Sequence, residues 1–185
     1  MTTATNITLM RIALIPVLIV VFYLPFKGAS IAAAFIFALA SFTDWLDGYM
    51  ARRLKQTSKF GAFLDPVADK LMVAVALVLL VQGDPTPLLA IPAAVILGRE
   101  IAVSALREWM AELGKRTSVA VSVVGKFKTT AQMLAILMLL YHDPIGSFPV
   151  RALGFVLLYV AAGLTLWSMS VYLYTAWPDL SDSKS

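Results

Sequence analysis

The sequence contains no cysteine and only one histidine, His142. The absence of cysteine excludes disulfide bonds and thiolate metal sites, so any metal site must be built from oxygen ligands or from this single imidazole. Charged residues are also few, at 14% of the chain, whereas hydrophobic residues make up 60%. This balance is far from that of a soluble domain, and we therefore expect an integral membrane protein.

Six apolar stretches approach the length of about 20 residues that a helix needs to cross a bilayer. We place them near residues 8–26, 30–51, 61–82, 87–109, 121–141 and 150–175. The first stretch has no small-residue cleavage site after it, so we do not expect a removable signal peptide. No internal repeat or long linker divides the chain. The sequence predicts an all-α integral membrane protein with six transmembrane helices in a single domain, residues 1–185.

The distribution of positive charge predicts how the helices are oriented. Every Lys and Arg except Lys27 and Arg151 lies at or near the face that carries the connections after the second and fourth spans. An even number of spans places both termini on that same face. Because cytoplasmic loops carry an excess of Lys and Arg, we expect this face and both termini to be cytoplasmic.

Four aspartates interrupt the apolar sequence where the second and third spans reach this face. Asp44 and Asp47 lie three residues apart, and Asp65 and Asp69 lie four apart, so each pair shares one face of a helix. A turn near residues 55–58 would set the two faces against each other. Carboxylates gathered in this way repel one another and require a cation, and carboxylate oxygen is the ligand that hard divalent ions prefer. The sequence therefore predicts a metal site here.

The same aspartates admit two other interpretations. They could cap helices and pair with neighbouring cations, and Asp65 followed by Pro66 resembles an N-cap with proline at the first helical position. If the third helix instead begins near Ser58, Pro66 lies inside it. A cation transporter or channel is a further alternative, because acids within a membrane can bind the transported ion. Against it, these acids cluster at one face and do not line a path.

The spacing of these residues as a whole resembles the signature of the CDP-alcohol phosphatidyltransferases, with no mismatch. The matching pattern is Asp44-x-x-Asp47-Gly48-x-x-Ala51-Arg52, eight residues, then Gly61-x-x-x-Asp65-x-x-x-Asp69. The segments "GAFLDPVADK", "REWMAELGKR", "GKFKTTAQM" and "LTLWSM" look like those of bacterial members that use glycerol 3-phosphate as the acceptor.

The resemblance implies a homodimer in the bacterial cytoplasmic (inner) membrane, surrounded by membrane lipids, with its active site facing the cytosol. Its reaction would transfer a phosphatidyl group from CDP-diacylglycerol to glycerol 3-phosphate and release CMP. No nucleic-acid partner is expected. A different acceptor, such as serine or inositol phosphate, is the alternative that keeps the same chemistry.

The resemblance also implies roles for individual residues. Asp44, Asp47 and Asp65 would bind Mg²⁺ or Mn²⁺, as two ions, and Asp69 would be both a ligand and the catalytic base. The residues expected around the CDP-lipid are Thr43, Gly48, Ala51, Arg52 and Gly61.

The N-terminus departs from the family pattern. Asn6 stands two residues before the Thr of Thr8-x-x-Arg11, where relatives tend to show Asn three residues before it. A nucleotide contact is therefore not expected for Asn6 and is an open possibility for Thr8 and Arg11.

A phosphate-bearing acceptor needs cations beyond those that face the diphosphate. The candidates lie on the fourth and fifth spans and their connection, and they are Arg99, Arg107, Arg116, Lys126 and Lys128. Long cations near helix ends also reach toward lipid headgroups, which is the alternative role for each of them. Arg99 stands well inside an apolar span, where it could instead pair with Glu100 or an aspartate. Lys126 and Lys128 lie about 200° apart around a helix and cannot both face one pocket.

Overall fold

The computed structural model describes residues 3–54, 59–112 and 123–181 of the chain. Within them the chain forms six helices: α1 (Thr3–Tyr23), α2 (Ala29–Leu54), α3 (Lys59–Gly83), α4 (Pro87–Glu112), α5 (Val123–Tyr141) and α6 (Val150–Ser181). The described residues contain no β-strand, only an isolated bridge between Ile145 and Phe148. The predictions of an all-helical fold and of six helices are confirmed.

Among the residues that the structure describes, three segments are long and apolar enough to cross a membrane: Asn6–Tyr23, Pro87–Glu112 and Val150–Tyr174. Shorter apolar segments occupy α2 and α5, at Ala29–Asp44 and Phe127–Tyr141. Large apolar side chains also face outward, with Phe35 and Phe127 each 66% exposed and Ile101 71% exposed. Such an apolar surface is expected of helices that contact lipid. The crossing of the bilayer by all six helices, and the cytoplasmic position of both termini, stay predictions.

The position of Pro66 is one point that the sequence left open. Because α3 begins at Lys59, Pro66 lies inside the helix and the alternative of an N-cap at Asp65 is wrong. Proline has no backbone N–H, so the carbonyl four residues earlier loses its usual helical partner. Asp65 and Asp69 therefore stand on the first three turns of a continuous helix.

The end of the bundle opposite the aspartates is closed by short connections. His142 follows α5 with a φ of 44° and donates its N–H to the carbonyl of Met138 at 2.9 Å, so a left-handed residue ends this helix. Gly28 and Gly146 hold φ angles of 100° and 61°, which glycine adopts without steric cost. Arg151 of α6 and Asp84, just after α3, form an ion pair of 2.6 Å. These contacts connect the helix pairs at this end.

The helices pack closely through small residues, as membrane helices commonly do. The buried alanines are Ala33, Ala34, Ala40, Ala68, Ala76, Ala93, Ala131, Ala135, Ala161 and Ala162. The most extensive helix pairs are α5 with α6 and α1 with α2, followed by α1 with α3. At Gly154 of α6 an added Cβ would lie 3.0 Å from Cγ of Leu139 on α5. The α5–α6 contact therefore depends on the absence of a side chain at this position.

Helices α4 and α5 lie farther apart than these pairs. Within the described ranges no Cα atom of α4 lies within 8 Å of one of α5, although α3 approaches both helices this closely. A cavity of about 610 Å³ lies among α3, α4 and α5. It borders the part of α3 that carries the predicted catalytic aspartate.

Candidate active site

The aspartates of α2 and α3 meet two polar residues of α1. Nη1 of Arg11 donates to Oδ1 of Asp69 at 2.5 Å and lies 3.3 Å from Oδ1 of Asp44. The hydroxyl of Thr8 donates to Oδ1 of Asp65. Thr8 and Arg11 are three residues apart, so they lie on one face of α1 and present both donors to the same side. The structure thus brings three of the four predicted metal ligands together around α1.

Burial differs sharply across this cluster. The side chain of Arg11 is 2% exposed, whereas those of Asp44 and Asp69 are 45% and 41% exposed. A guanidinium is tolerated at such a depth only when charged and hydrogen-bonding partners neutralise it. The two carboxylates neutralise Arg11 on one side and keep almost half of their surface accessible. A ligand can therefore reach them from outside the bundle.

The donor chemistry of the cluster fits a divalent cation. Its acidic groups offer hard carboxylate oxygens, and the negative charges of Asp44 and Asp65 lie close enough to Asp69 to repel its charge. As the side chains stand, no three acidic, histidine or cysteine groups among the described residues are arranged to hold a metal. The guanidinium of Arg11 contacts Asp44 and Asp69 and contributes positive charge beside these carboxylates.

The other residues of the signature are described in part. Helix α2 continues through Asp47 and the residues that follow it. The side chains of Asp47, Ala51 and Arg52, and the surroundings of Gly48, lie outside the described part of the structure. Thr43 is buried and donates its hydroxyl to the carbonyl of Ala40 at 2.7 Å, so the hydroxyl is directed to its own helix. Gly61 is buried in the first turn of α3. Their contacts with a CDP-lipid stay predictions.

The cavity among α3, α4 and α5 begins at this cluster. Asp69 is the one member of the described aspartates that lines it, and Lys70 is next to it. Nζ of Lys70 donates to the hydroxyl of Ser104 on α4, which donates in turn to the carbonyl of Glu100 at 2.6 Å. Further polar side chains of the wall include those of Glu100, Lys128 and Gln132, and its apolar part includes Val73 and Leu97.

The predicted acceptor cations divide into three groups. Lys128 lines the cavity, and its Nζ lies 3.5 Å from Oε1 of Glu100. Arg99 is not among the described lining residues, because Nη1 donates to Oε1 of Glu100 at 2.8 Å and Nη2 to the hydroxyl of Ser168 on α6 at 3.3 Å. The side chains of Arg107 and Lys126, and the whole of Arg116, lie outside the described residues. The structure thus brings Lys128 to the cavity and directs Arg99 toward α6.

Comparison with known proteins identifies the family. A family model described as CDP-alcohol phosphatidyltransferase matches residues 1–167. The chain belongs to this family. The prediction of a phosphatidyltransferase is confirmed, and it is favoured over the alternative of a cation transporter.

Individual relatives match over almost their whole length. The chain is 58% identical over 177 residues to the CDP-diacylglycerol–glycerol-3-phosphate 3-phosphatidyltransferase of Sodalis glossinidius (strain morsitans), which covers 95% of both chains. Proteins with the same name match from Pseudomonas fluorescens, at 59% identity over 94% of this chain and 89% of the relative, and from Salmonella choleraesuis (strain SC-B67), at 56% identity over 96% of both chains.

The sequence alone does not indicate the positions of two sets of residues in the site. It leaves Thr8 and Arg11 as candidates for nucleotide contact only, whereas the structure joins both to the aspartates. Arg11 is an isolated cation at the start of an apolar span, and an ionisable residue within a membrane helix generally has a charged partner, so a signal was present. Lys70 and Ser104 are not among the residues that the sequence indicates for the acceptor site. Their proximity depends on how α3 packs against α4, which no local pattern shows.

Proposed function

We propose that the protein transfers the phosphatidyl group of CDP-diacylglycerol to sn-glycerol 3-phosphate, giving phosphatidylglycerophosphate and CMP. The observation that carries this proposal is the position of Asp69. It belongs both to the acidic cluster on α1–α3 and to the wall of the adjoining cavity. An acid at this boundary can contact a hydroxyl that enters through the cavity while the activated lipid lies against the aspartates. The names of the relatives support the same reaction and the same acceptor.

The reaction we propose is a direct displacement at phosphorus. The acceptor oxygen forms a bond to the phosphorus that carries diacylglycerol, and the bond from that phosphorus to the oxygen of CMP breaks. Asp69 accepts the proton of the attacking hydroxyl, which makes the alcohol a competent nucleophile at neutral pH. Arg52 would stabilise the phosphate oxygens and the leaving CMP with its positive charge. A covalent enzyme intermediate is not needed.

A divalent ion fits the aspartate site as a cofactor. Asp44, Asp47, Asp65 and Asp69 would hold Mg²⁺ or Mn²⁺, and we propose two ions. When bound, such ions polarise phosphoryl oxygens and neutralise their charge. Thr8 fixes the carboxylate of Asp65 by a hydrogen bond. Arg11 holds the carboxylates of Asp44 and Asp69 toward a common point.

The acceptor phosphate is proposed to bind in the cavity among α3, α4 and α5. Lys70 stands on one wall beside Asp69, and Lys128 stands on another wall, on α5. Two ammonium groups suit a phosphate dianion, because each donates charge-assisted hydrogen bonds to its oxygens. Asp69, the proposed base, lines the same cavity as both lysines, which supports this assignment. Arg107, Arg116 and Lys126 stay candidates for the same role from the sequence.

Competition between acceptors tests this function. Purified protein in detergent receives CDP-diacylglycerol, a divalent ion and an equimolar mixture of glycerol 3-phosphate, serine and inositol phosphate. We expect CMP release together with phosphatidylglycerophosphate as the dominant product by mass spectrometry. A dominant serine or inositol phosphate product would overturn the acceptor assignment and retain the transferase chemistry. CMP release at the same rate without any acceptor would overturn the proposed transfer.

We further propose that the protein acts as a homodimer in the bacterial cytoplasmic membrane, with the aspartates facing the cytosol. The positive charges near the aspartate end support this orientation, because that end carries most Lys and Arg residues. Both polar substrates are then reached from the compartment that contains nucleotides. Labelling of single cysteines introduced into the cysteine-free chain at Ser30 and Glu112 tests it with a membrane-impermeant thiol reagent. Intact cells should label only the Ser30→Cys variant.

A further inference from the structure

Glu100 connects two helices whose backbones are well separated. Within the described residues no Cα atom of α4 lies within 8 Å of one of α5, and the cavity lies among these helices and α3. Oε1 of Glu100 on α4 nevertheless accepts from Nζ of Lys128 on α5 at 3.5 Å. This contact spans the gap at the wall of the cavity. Its atoms are therefore placed where a ligand in the cavity would meet them.

The carboxylate of Glu100 has two cationic partners of unequal strength. It accepts from Nη1 of Arg99 at 2.8 Å, and Arg99 is itself fixed by Ser168 on α6. The contact with Lys128 is longer, at 3.5 Å, although the Lys128 side chain is only 7% exposed. The shorter bond connects the carboxylate, through Arg99 and Ser168, to α6, and the longer bond connects it to Lys128 on α5. The Lys128 ammonium is thereby held at the wall of the cavity.

We propose that Glu100 is a positioning residue for the acceptor, and that it acts by holding the ammonium of Lys128 at the cavity wall. This inference rests on the proposed function, because it assigns Lys128 to the anionic group of the acceptor. A lysine has a flexible four-carbon stem, so holding its ammonium in place reduces the entropy that is lost when it binds an oxyanion. Glu100 does so without entering the aspartate site. It should therefore influence binding of the acceptor and leave the reacting groups unchanged.

A purely structural role for Glu100 predicts a different pattern. If Glu100 served only to neutralise Arg99, its loss would affect the α4–α6 contact, and with it the stability of the whole protein. A positioning role predicts a specific rise in KM for the acceptor. The two roles are thus separated by comparing KM, kcat and the thermal midpoint of the same variants.

The experiment compares Glu100→Gln with a matched control on the same helix, Glu112→Gln. Glu112 is exposed at the end of α4 and is not among the described residues that line the cavity. For Glu100→Gln we expect KM for glycerol 3-phosphate to rise about tenfold with kcat changed less than about threefold. KM for CDP-diacylglycerol should stay at the wild-type value. Glu112→Gln should match the wild type in all three constants.

Two further variants show whether Glu100 acts through Lys128. Glu100→Asp keeps the charge, so KM should return toward the wild-type value. The double variant Glu100→Gln/Lys128→Met should have the same KM as Lys128→Met alone, because two residues that act as one unit are not additive. A wild-type KM in Glu100→Gln, or independent effects in the double variant, would overturn the inference. So would a lower thermal midpoint and kcat with an unchanged KM.

The wild-type protein separates this inference from the proposed function. If the wild type fails to use glycerol 3-phosphate, the proposed function is wrong. If it uses glycerol 3-phosphate and Glu100→Gln retains the wild-type KM, only the role of Glu100 is wrong.

Discussion

Arg11 of α1 contacts Asp44 of α2 and Asp69 of α3 through the same nitrogen, Nη1, so one buried cation joins the three helices that form the acidic cluster. The contact gives α1 a role in the acidic cluster besides its predicted role as a membrane span. It neutralises carboxylates that would otherwise repel one another, and it holds them toward a common point. The first prediction follows from this relationship.

Replacing Arg11 by Met should destabilise the protein most in the absence of divalent ions. Removing one partner of a buried ion pair leaves the other charges uncompensated, but the aspartates are partly exposed, so we expect a loss of about 1 to 2 kcal/mol. This loss corresponds to a fall in thermal midpoint of about 2 to 8 °C for a chain of this size. Thermal unfolding in detergent with chelator measures it, and added Mg²⁺ should restore more stability to the variant than to the wild type.

The control for this variant is Arg151→Met at the opposite end of the bundle. Arg151 is 56% exposed and pairs with Asp84, and an exposed pair contributes little to stability. Equal midpoints for Arg11→Met and the wild type in chelator would show that the cluster does not need this cation.

Removal of divalent ions should abolish turnover. Because the donor set consists of carboxylates, a chelator should withdraw the ions and leave the folded chain, and CMP release should fall about 100-fold or more. Addition of Mg²⁺ or Mn²⁺ in excess of the chelator should restore the rate. Turnover that persists at the wild-type rate after exhaustive chelation would contradict the metal site.

Asp69→Asn should reduce kcat by about 10² to 10⁴-fold, the range that a general base commonly contributes. The amide cannot accept the proton of the acceptor, but it retains the shape of the side chain at the cavity wall. Equilibrium binding of labelled CDP-diacylglycerol should therefore change little. Asp84→Asn, at the other end of the bundle, is the control and should keep the wild-type kcat. A near-normal kcat in Asp69→Asn would exclude Asp69 as the base.

Gly154→Val should weaken the contact between α5 and α6. The new Cβ would lie 3.0 Å from Cγ of Leu139 and 3.2 Å from Cβ of Met138, which forces the helices apart. Overpacking of this kind costs about 1 to 3 kcal/mol. Gly163→Ala on the same helix is the matched control, because nothing lies within 4 Å of its added Cβ. Thermal unfolding should show a lower midpoint for the first variant only, and equal midpoints would contradict the close approach at Gly154.

The sequence by itself determined the helices of this protein. Long apolar stretches must satisfy their backbone hydrogen bonds internally, so their number and approximate positions could be predicted from composition alone. The spacing of Asp44, Asp47, Asp65 and Asp69 likewise placed each pair on one helix face. The same spacing is part of the pattern that resembles the CDP-alcohol phosphatidyltransferases. These features are local, because each depends only on residues within a few turns of one helix.

The tertiary structure decided which residues meet across helices. It joined Arg11 and Thr8 to the aspartates, placed Asp69 and Lys128 on one cavity, and directed Arg99 toward Ser168. It also placed Pro66 inside α3, a point on which the local sequence was ambiguous. Helix periodicity gives the face on which a side chain lies, but not the neighbour that this face meets. That neighbour is set by the packing of small residues such as Ala and Gly along several helices at once.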